Sequence, residues 1–372
     1  MRALFVATVQ SHIAQFHTGA ISLLKENGYE IYVAARNNLK EKNGLTLQEI
    51  DGIFDIPFER SPFSLKNISA YNKLKEIIDQ GNYDIIHCNT PVGGILARLA
   101  ARKERKKGCA VIYTAHGFHF YKGAPKKNWL IFYPIEKVMS RFTDKLITIN
   151  DEDFEIAKQN FHCPVYHVHG VGVKTQKYDK VSNEDSIAFR KQNGWEEDFL
   201  ILCTGELNTN KNQATIIRAM TTVIKRIPNA KLLLAGNGPN ENNLRELISK
   251  LHLEKNVTFL GYRTDLEYFT HAADLIVTAS FREGMPLNVL EAMYCHKPVV
   301  ASNNRGHKEL ILNGKTGYLL NPSSTEEFAE KIITLGYDKK KREKFGESAF
   351  QRVQKYTDIS VKNELKKVYF KG

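Results

Sequence analysis

Two glutamates frame the segment best suited to chemistry, Glu283-Gly-Met-Pro-Leu-Asn-Val-Leu-Glu291. It follows Asp274-Leu-Ile-Val-Thr-Ala-Ser280, an apolar, β-branched run that reads as a strand. Gly284 permits a tight turn. Pro286 suits the first position of a helix, where its missing N–H costs nothing. The next N–H groups, on Leu287, Asn288 and Val289, then lack intrahelical partners. Together with the helix dipole they make a ready phosphate site, with Met285 leading into it. Glu291 shares a helical face with Leu287, and its side chain tilts back toward the helix start. There it can accept hydrogen bonds from a pair of sugar hydroxyls, as an acidic residue does for ribose in dinucleotide sites. Glu283, in the loop ahead of the helix, can meet a sugar. A capped helix carrying two solvated glutamates would read the same way, so the assignment depends on what surrounds it.

The surrounding turns are compatible. The run Leu200–Thr204 ends in Gly205-Glu-Leu-Asn-Thr-Asn-Lys211, and Lys231–Ala235 ends in Gly236-Asn-Gly238-Pro239. Both are glycine-containing strand-to-helix turns, where backbone can approach a phosphate. Lys211 can neutralise a diphosphate as a point charge. Further on, Pro298–Ser302 leads to Asn-Asn-Arg305-Gly306-His307, and Asn313-Gly-Lys-Thr-Gly317 follows. In the first half, Tyr113-Thr-Ala-His116-Gly-Phe-His119 closes a strand, and Gln10-Ser-His12-Ile-Ala-Gln-Phe-His17 sits in the first strand-to-helix loop.

The elements that must position these residues alternate along the whole chain. Strand-like runs in the first half are Ala3–Val9, Glu30–Ala35, Ile85–Asn89, Ala110–His116 and Lys145–Asn150. Those in the second half are Leu200–Thr204, Lys231–Ala235, Val257–Leu260, Leu275–Ser280 and Pro298–Ser302. Helical patterns lie between them, among them Ile13–Glu26, Ile68–Gln80, Gly94–Lys107, Asn212–Arg226 and Thr325–Leu335. Strands apolar on both faces and separated by helices imply parallel sheets covered on both sides. Two such series predict two doubly wound, Rossmann-like lobes facing a central cleft, with ligands at the carboxyl ends of the strands. The expected lobes are residues 1–172 and 173–355, with the final helix, 356–372, packing back on the first. The polar stretch up to Asp198 reads as a hinge or linker.

Composition limits the partners. The chain has 372 residues, 42% apolar and 25% charged, with a formal charge of +12. That length favours two domains, and the basic excess favours anionic partners. The basic residues are interleaved with acids and no nucleic-acid-binding signature appears, so nucleic acid is not expected as a partner. The five cysteines form no C-x-x-C pair, which argues against a zinc cluster or a disulfide framework and suits a reducing, cytoplasmic setting. No stretch is apolar enough to span a bilayer. Two segments suit a membrane surface: the cationic run Arg98–Lys107, and Lys122–Arg141, which mixes basic and aromatic residues as interfacial helices do.

Taken in order, these motifs resemble the family 4 glycosyltransferases, retaining enzymes of the two-lobed GT-B fold. The resemblance covers nearly the whole chain. Glu283–Glu291 matches the family's E-x7-E element, and Leu232–Pro239, Asp274–Ser280 and Asn313–Gly317 also match. The family implies a nucleotide-sugar donor, most often a UDP-sugar, with Glu283 on the transferred sugar, Glu291 on the ribose and Lys211 on the diphosphate. It implies transfer of a hexosyl or N-acetylhexosaminyl group with retention. The Tyr113–His119 segment resembles the bacterial members that build exopolysaccharide and capsule, where a histidine at the position of His116 points toward the transferred sugar. Such enzymes act on lipid-linked or glycan acceptors, which makes an anionic membrane surface a natural partner. One position departs from the pattern. The family often has a basic residue after the glycine of the Gly205 turn, and here it is Glu206; Arg282, Arg305 and Lys308 are the possible substitutes. Asp151-Glu-Asp153 has the D-x-D spacing of a different, metal-dependent class of sugar transferase. However, Asn150 as N-cap and acids in a first helical turn account for it, so no metal or resident cofactor is expected. An epimerase of sugar nucleotides built on a similar pair of lobes is the alternative reading.

Overall fold

In a computed structural model, which describes residues 1–41 and 45–371, the chain forms two compact units. One comprises Met1–Val171 together with the chain end from Asp358, the other Gly172–Thr357.

The first unit holds a seven-stranded sheet of β1 (Arg2–Val9), β2 (Glu30–Arg36), β3 (Gly52–Asp55), β4 (Ile85–Asn89), β5 (Ala110–Ala115), β6 (Lys145–Thr148) and β7 (Val165–His167). Their order across the sheet is β3-β2-β1-β4-β5-β6-β7, and neighbours pair in parallel. The second unit holds β8 (Phe199–Thr204), β9 (Ala230–Ala235), β10 (Val257–Gly261), β11 (Leu275–Thr278), β12 (Val299–Ser302) and β13 (Gly317–Leu320). Their order is β10-β9-β8-β11-β12-β13, again parallel throughout. Both are doubly wound, Rossmann-like sheets, and the strand order reverses beside β1 in one and beside β8 in the other. Ligands of such sheets bind at the carboxyl ends next to that reversal. The central strands are apolar on both faces because helices cover both. Every residue of β4 is buried, as is all of β1 after Arg2.

Four sequence expectations are corrected. Three short strands escape notice: β3, whose residues alternate between part-buried and exposed, the three-residue β7, and the four-residue β13. All three close a sheet edge, where burial on both faces is not required. The expected helix Ile13–Glu26 is two helices, Gln10–Phe16 and Thr18–Glu26, with His17 non-helical between them (φ −121°, ψ 9°). The break turns the His17 ring into the protein, where it is buried. Likewise Gly94–Lys107 resolves into Pro91–Ala100 and Arg102–Arg105. Finally, the presumed linker up to Asp198 is part of the second unit. It forms the helices Thr175–Asp179 and Asn183–Gln192. The latter begins with a capping box between Ser182 and Asp185, and Val173, Tyr178 and Trp195 enter the core. Those apolar anchors are spread too thinly along the segment to register as a run.

The last helix, Asp358–Phe370, belongs to the first unit. Val361, Leu365, Val368 and Tyr369 pack into the core formed by one face of its sheet. Among the described residues, no helix is long and apolar enough to cross a membrane.

Candidate active site

In the second unit the strand order reverses between β8 and β11, and the loops that leave these two strands are bound to each other. The Phe281 N–H donates to the Asn210 carbonyl at 2.8 Å, and the Asn210 side-chain amide donates to the Arg282 carbonyl at 3.0 Å. Asn212, left-handed at φ 53°, donates from its side chain to the carbonyls of Ala279 and Pro322. The Asn288 amide reaches the Thr204 carbonyl at the end of β8, 3.1 Å away. These polar ties hold Lys211 and Glu283, 72 residues apart in sequence, as an ion pair with Nζ–Oε1 2.6 Å. Both side chains are mostly buried.

The glycine turns nest against this loop pair. Gly205 adopts φ +143°, and the Lys211 side chain lies over it: a Cβ there would sit 3.4 Å from Lys211 Cε. A Cβ on Gly236 would fall 2.1 Å from the Gly205 carbonyl oxygen, and one on Gly238 would fall 2.3 Å from that of Leu207. Real Cβ atoms do not approach so closely, so both glycines are required by turn-on-turn packing. Glu206 points away from this work; it is exposed, and its carboxylate accepts from the Asn208 amide at 2.8 Å.

The helix after the Glu283 loop spans Leu287–Tyr294. Pro286 is its N-cap in extended conformation rather than its first residue. As a result the Val289 N–H bonds to the Pro286 carbonyl at 3.2 Å, and the helix leaves only Leu287 and Asn288 without intrahelical partners for their N–H groups at its start. Met285 packs against the apolar core below. Glu291 lies one turn along, and burial raises its carboxyl above the ordinary range, with the nearby Tyr178 hydroxyl and Lys177 pulling the other way.

A further residue supports the site without having been singled out. His307 is fully buried in the short helix Arg305–Leu310. Its Nδ1 lies 2.7 Å from the Ser302 carbonyl and 3.0 Å from the Asn304 side-chain amide nitrogen. Burial pushes the ring down to about 4, leaving it neutral. The preceding Gly306 fits against the Glu283 loop, where a Cβ would meet the Gly284 carbonyl at 2.7 Å. The sequence showed Arg305-Gly306-His307 as one of the compatible turns, with Arg305 as a possible cation; neither the burial of the histidine nor the loop it supports leaves a pattern in composition.

His116 lies in the first unit, directly after β5. Its Nε2 is 3.2 Å from Nε2 of His17, and its ring meets His12 edge-on at 4.5 Å between centroids. His119 is elsewhere, exposed and stacked on Phe132. Asp153 is fully buried and committed locally: its N–H donates to the N-cap Asn150, and its carboxylate accepts from Asn150 and from the Phe118 N–H.

Taken with the ion pair at the strand reversal, the fold defines a two-lobed α/β protein of the class that takes its ligands at strand ends. Comparison with known proteins narrows the class. Residues 185–352 match the family profile described as glycosyl transferases group 1, and residues 3–150 match that described as glycosyl transferase 4-like. EpsD of Bacillus subtilis, provisionally assigned as a glycosyltransferase, is 40% identical over 371 residues, covering 99% of this chain and 96% of that one. An Escherichia coli UDP-Gal:α-D-GlcNAc-diphosphoundecaprenol α-1,3-galactosyltransferase is 27% identical over 280 residues, 74% of this chain and 72% of its own. Among solved structures, Anabaena HepE in complex with UDP and glucose superposes with a TM-score of 0.77 at 21% identity, covering 99% of each chain. The chain therefore belongs to the group 1, family-4-like glycosyltransferases, and it is a glycosyltransferase of GT-B fold.

Proposed function

We propose that this enzyme transfers a hexosyl or N-acetylhexosaminyl group from a UDP-sugar to a lipid-linked or glycan acceptor, with retention, in bacterial surface polysaccharide synthesis. The observation that carries the reading is the Lys211–Glu283 pair at the β8–β11 reversal, beside the start of the Leu287–Tyr294 helix. Lys211 and the N–H groups of Leu287 and Asn288 meet the diphosphate, Glu283 the transferred sugar, and Glu291 the ribose. His116 handles sugar hydroxyls, as the family resemblance implies. Charge separates in the transition state between an oxocarbenium-like sugar and the leaving diphosphate, so stabilising the phosphate supplies most of the electrostatic help. The departing phosphate takes the acceptor proton. Neither a metal nor a resident cofactor is needed, the nucleotide sugar being a substrate. UDP as the nucleotide is supported by the names of the Escherichia coli and Anabaena relatives.

Lys211→Ala is expected to lower transfer by about a hundredfold or more, in line with loss of one preorganised charge-stabilising donor. Glu283→Gln should lower kcat while leaving nucleotide binding nearly intact. Radiolabelled-sugar transfer and calorimetric UDP binding measure the two effects; near-normal transfer by both variants would sink the assignment. Running the same assay without acceptor separates transfer from epimerisation of the donor.

A membrane-facing acceptor fits the first unit. The helix Lys126–Met139 leaves Leu130, Ile131, Ile135 and Val138 exposed, with Lys126, Lys127 and Arg141 also exposed nearby. Of the other cationic run, Arg98 must be removed: it is buried, paired with Glu136 at 2.9 Å and set over the Tyr113 ring. Apolar and basic side chains together suit the cytoplasmic face of an anionic bilayer. Vesicles containing anionic lipid should therefore sediment the protein at low salt. Leu130→Asp with Ile131→Asp should abolish sedimentation without lowering the melting temperature, and unchanged sedimentation would refute this surface.

A further inference from the structure

The first unit contains a cluster of side chains that the proposed transfer does not explain. His12 in the helix Gln10–Phe16, His17 at the helix break and His116 after β5 each bring a ring nitrogen to within 4.8 Å of the others. The 3.2 Å between Nε2 of His17 and Nε2 of His116 is close to the spacing of two ligands on a tetrahedral ion with metal–nitrogen bonds of about 2.0–2.1 Å. The rings converge from different directions and do not stack. His116 stands at 88° to His12 and at 90° to His17.

Two further observations point to a ligand. His12 Nε2 is shielded from solvent yet has no hydrogen-bond partner, an arrangement that calls for one. A cavity of about 30 Å³ is lined by His17 and His116, enough room for a water or another oxygen ligand. Three imidazoles without a thiolate or carboxylate suit zinc, cobalt, nickel or copper, and do not suit magnesium or calcium. We propose that His12, His17 and His116 form a binding site for a divalent transition-metal ion of the zinc class, with one exchangeable ligand. Burial keeps all three rings neutral, lowering His12 to about 4 and the other two well below their ordinary value, so none has a second proton to lose, and the proton shared between Nε2 of His17 and Nε2 of His116 must pass to an Nδ1 on binding. A ring nitrogen on a metal ion cannot also meet a substrate. A filled site therefore opposes the role proposed for His116 rather than serving it.

The test needs no substrate, so its outcome is independent of the transferase assignment. The full chain, stripped with chelator, is titrated with Co²⁺ alone. The expected result is one equivalent bound, with the intense visible absorption of four-coordinate cobalt, bleached by added Zn²⁺. His12→Ala and His17→Asn should each weaken binding at least about tenfold, and His162→Ala, an exposed histidine, should leave it unchanged. Zn²⁺ should raise the melting temperature of the wild type and of His162→Ala, and of neither cluster variant. Because His17 is buried and its replacement can disturb folding, His12→Ala decides the matter if His17→Asn does not fold. Absence of the visible band, or full-strength binding by His12→Ala, overturns the proposal.

Discussion

At the scale of single residues, the ion pair changes how the donor loops are understood. Lys211 and Glu283 satisfy each other at 2.6 Å while mostly buried. A buried charge left alone is costly, so under the proposed assignment a ligand's own charge and hydroxyls would have to replace each partner. The same reasoning bears on Glu206, whose exposed carboxylate cannot contribute to holding phosphate. Within the proposed donor site, we propose Arg305 as the missing cation. It is part-buried and adjoins Gly306, which packs on the Glu283 loop, whereas Arg282 and Lys308 are exposed. Arg305→Ala should raise the donor KM roughly tenfold, the scale of one charge-assisted hydrogen bond. Arg282→Ala and Lys308→Ala should change it by less than about threefold. Steady-state kinetics over a range of donor concentrations measures this, and a larger effect at either exposed residue would relocate the cation. The E-x7-E spacing and the lysine were legible because they are local motifs. Their contact was not, since the residues between them carry no trace of which loops the sheet order brings together.

At the scale of elements, what the sequence shows depends on burial. Strands covered on both faces, such as β1, β4 and β8, announce themselves as apolar runs; the short edge strands β3, β7 and β13 escape notice. Pro286 was placed one position too far into its helix, because the residue type favours both the cap and the first turn. The C-terminal helix was visible as an amphipathic segment expected to return to the first lobe, but the side chains that hold it there were not. The Tyr369 hydroxyl lies 2.6 Å from His87 Nδ1, and His87 Nε2 lies 2.7 Å from Thr114 Oγ1, so one buried histidine ties the helix to β4 and β5. Tyr369→Phe strands the buried Nδ1 and should cost about 1–3 kcal/mol. Chemical denaturation of the variant reads that loss, and an unchanged midpoint would mean the tie is not felt.

At the scale of the molecule, the buried histidines give stability a pH dependence of defined sign. Burial lowers His87 to about 3 and His12 and His307 to about 4, against about 6.5 in an unfolded chain. Between these values the unfolded chain binds more protons, so stability rises with pH. Their contribution is fully present above about pH 6.5 and is lost as pH falls toward the folded values. Each such histidine supplies a slope approaching about 1.4 kcal/mol per pH unit. Melting temperatures should fall steadily from pH 7 to pH 5, and His87→Gln should flatten the decline. A flat profile in the wild type would contradict the burial of these rings.

The return of the last helix to the first unit bears on how the polypeptide is made. Lys362 pairs with Glu26, Glu364 accepts from the His169 N–H, and Lys145 donates to the Val368 carbonyl, all joining this helix to the rest of the first unit. A nascent chain emerges from its first residue onward. The second unit, Gly172–Thr357, is therefore wholly synthesised while the first still lacks its closing helix. The unit that begins first is completed last, and its sheet must wait, with the core positions of Val361, Leu365 and Val368 unfilled, until that helix has been synthesised. A chain cut short just before Asp358 would leave the second unit whole and the first one open.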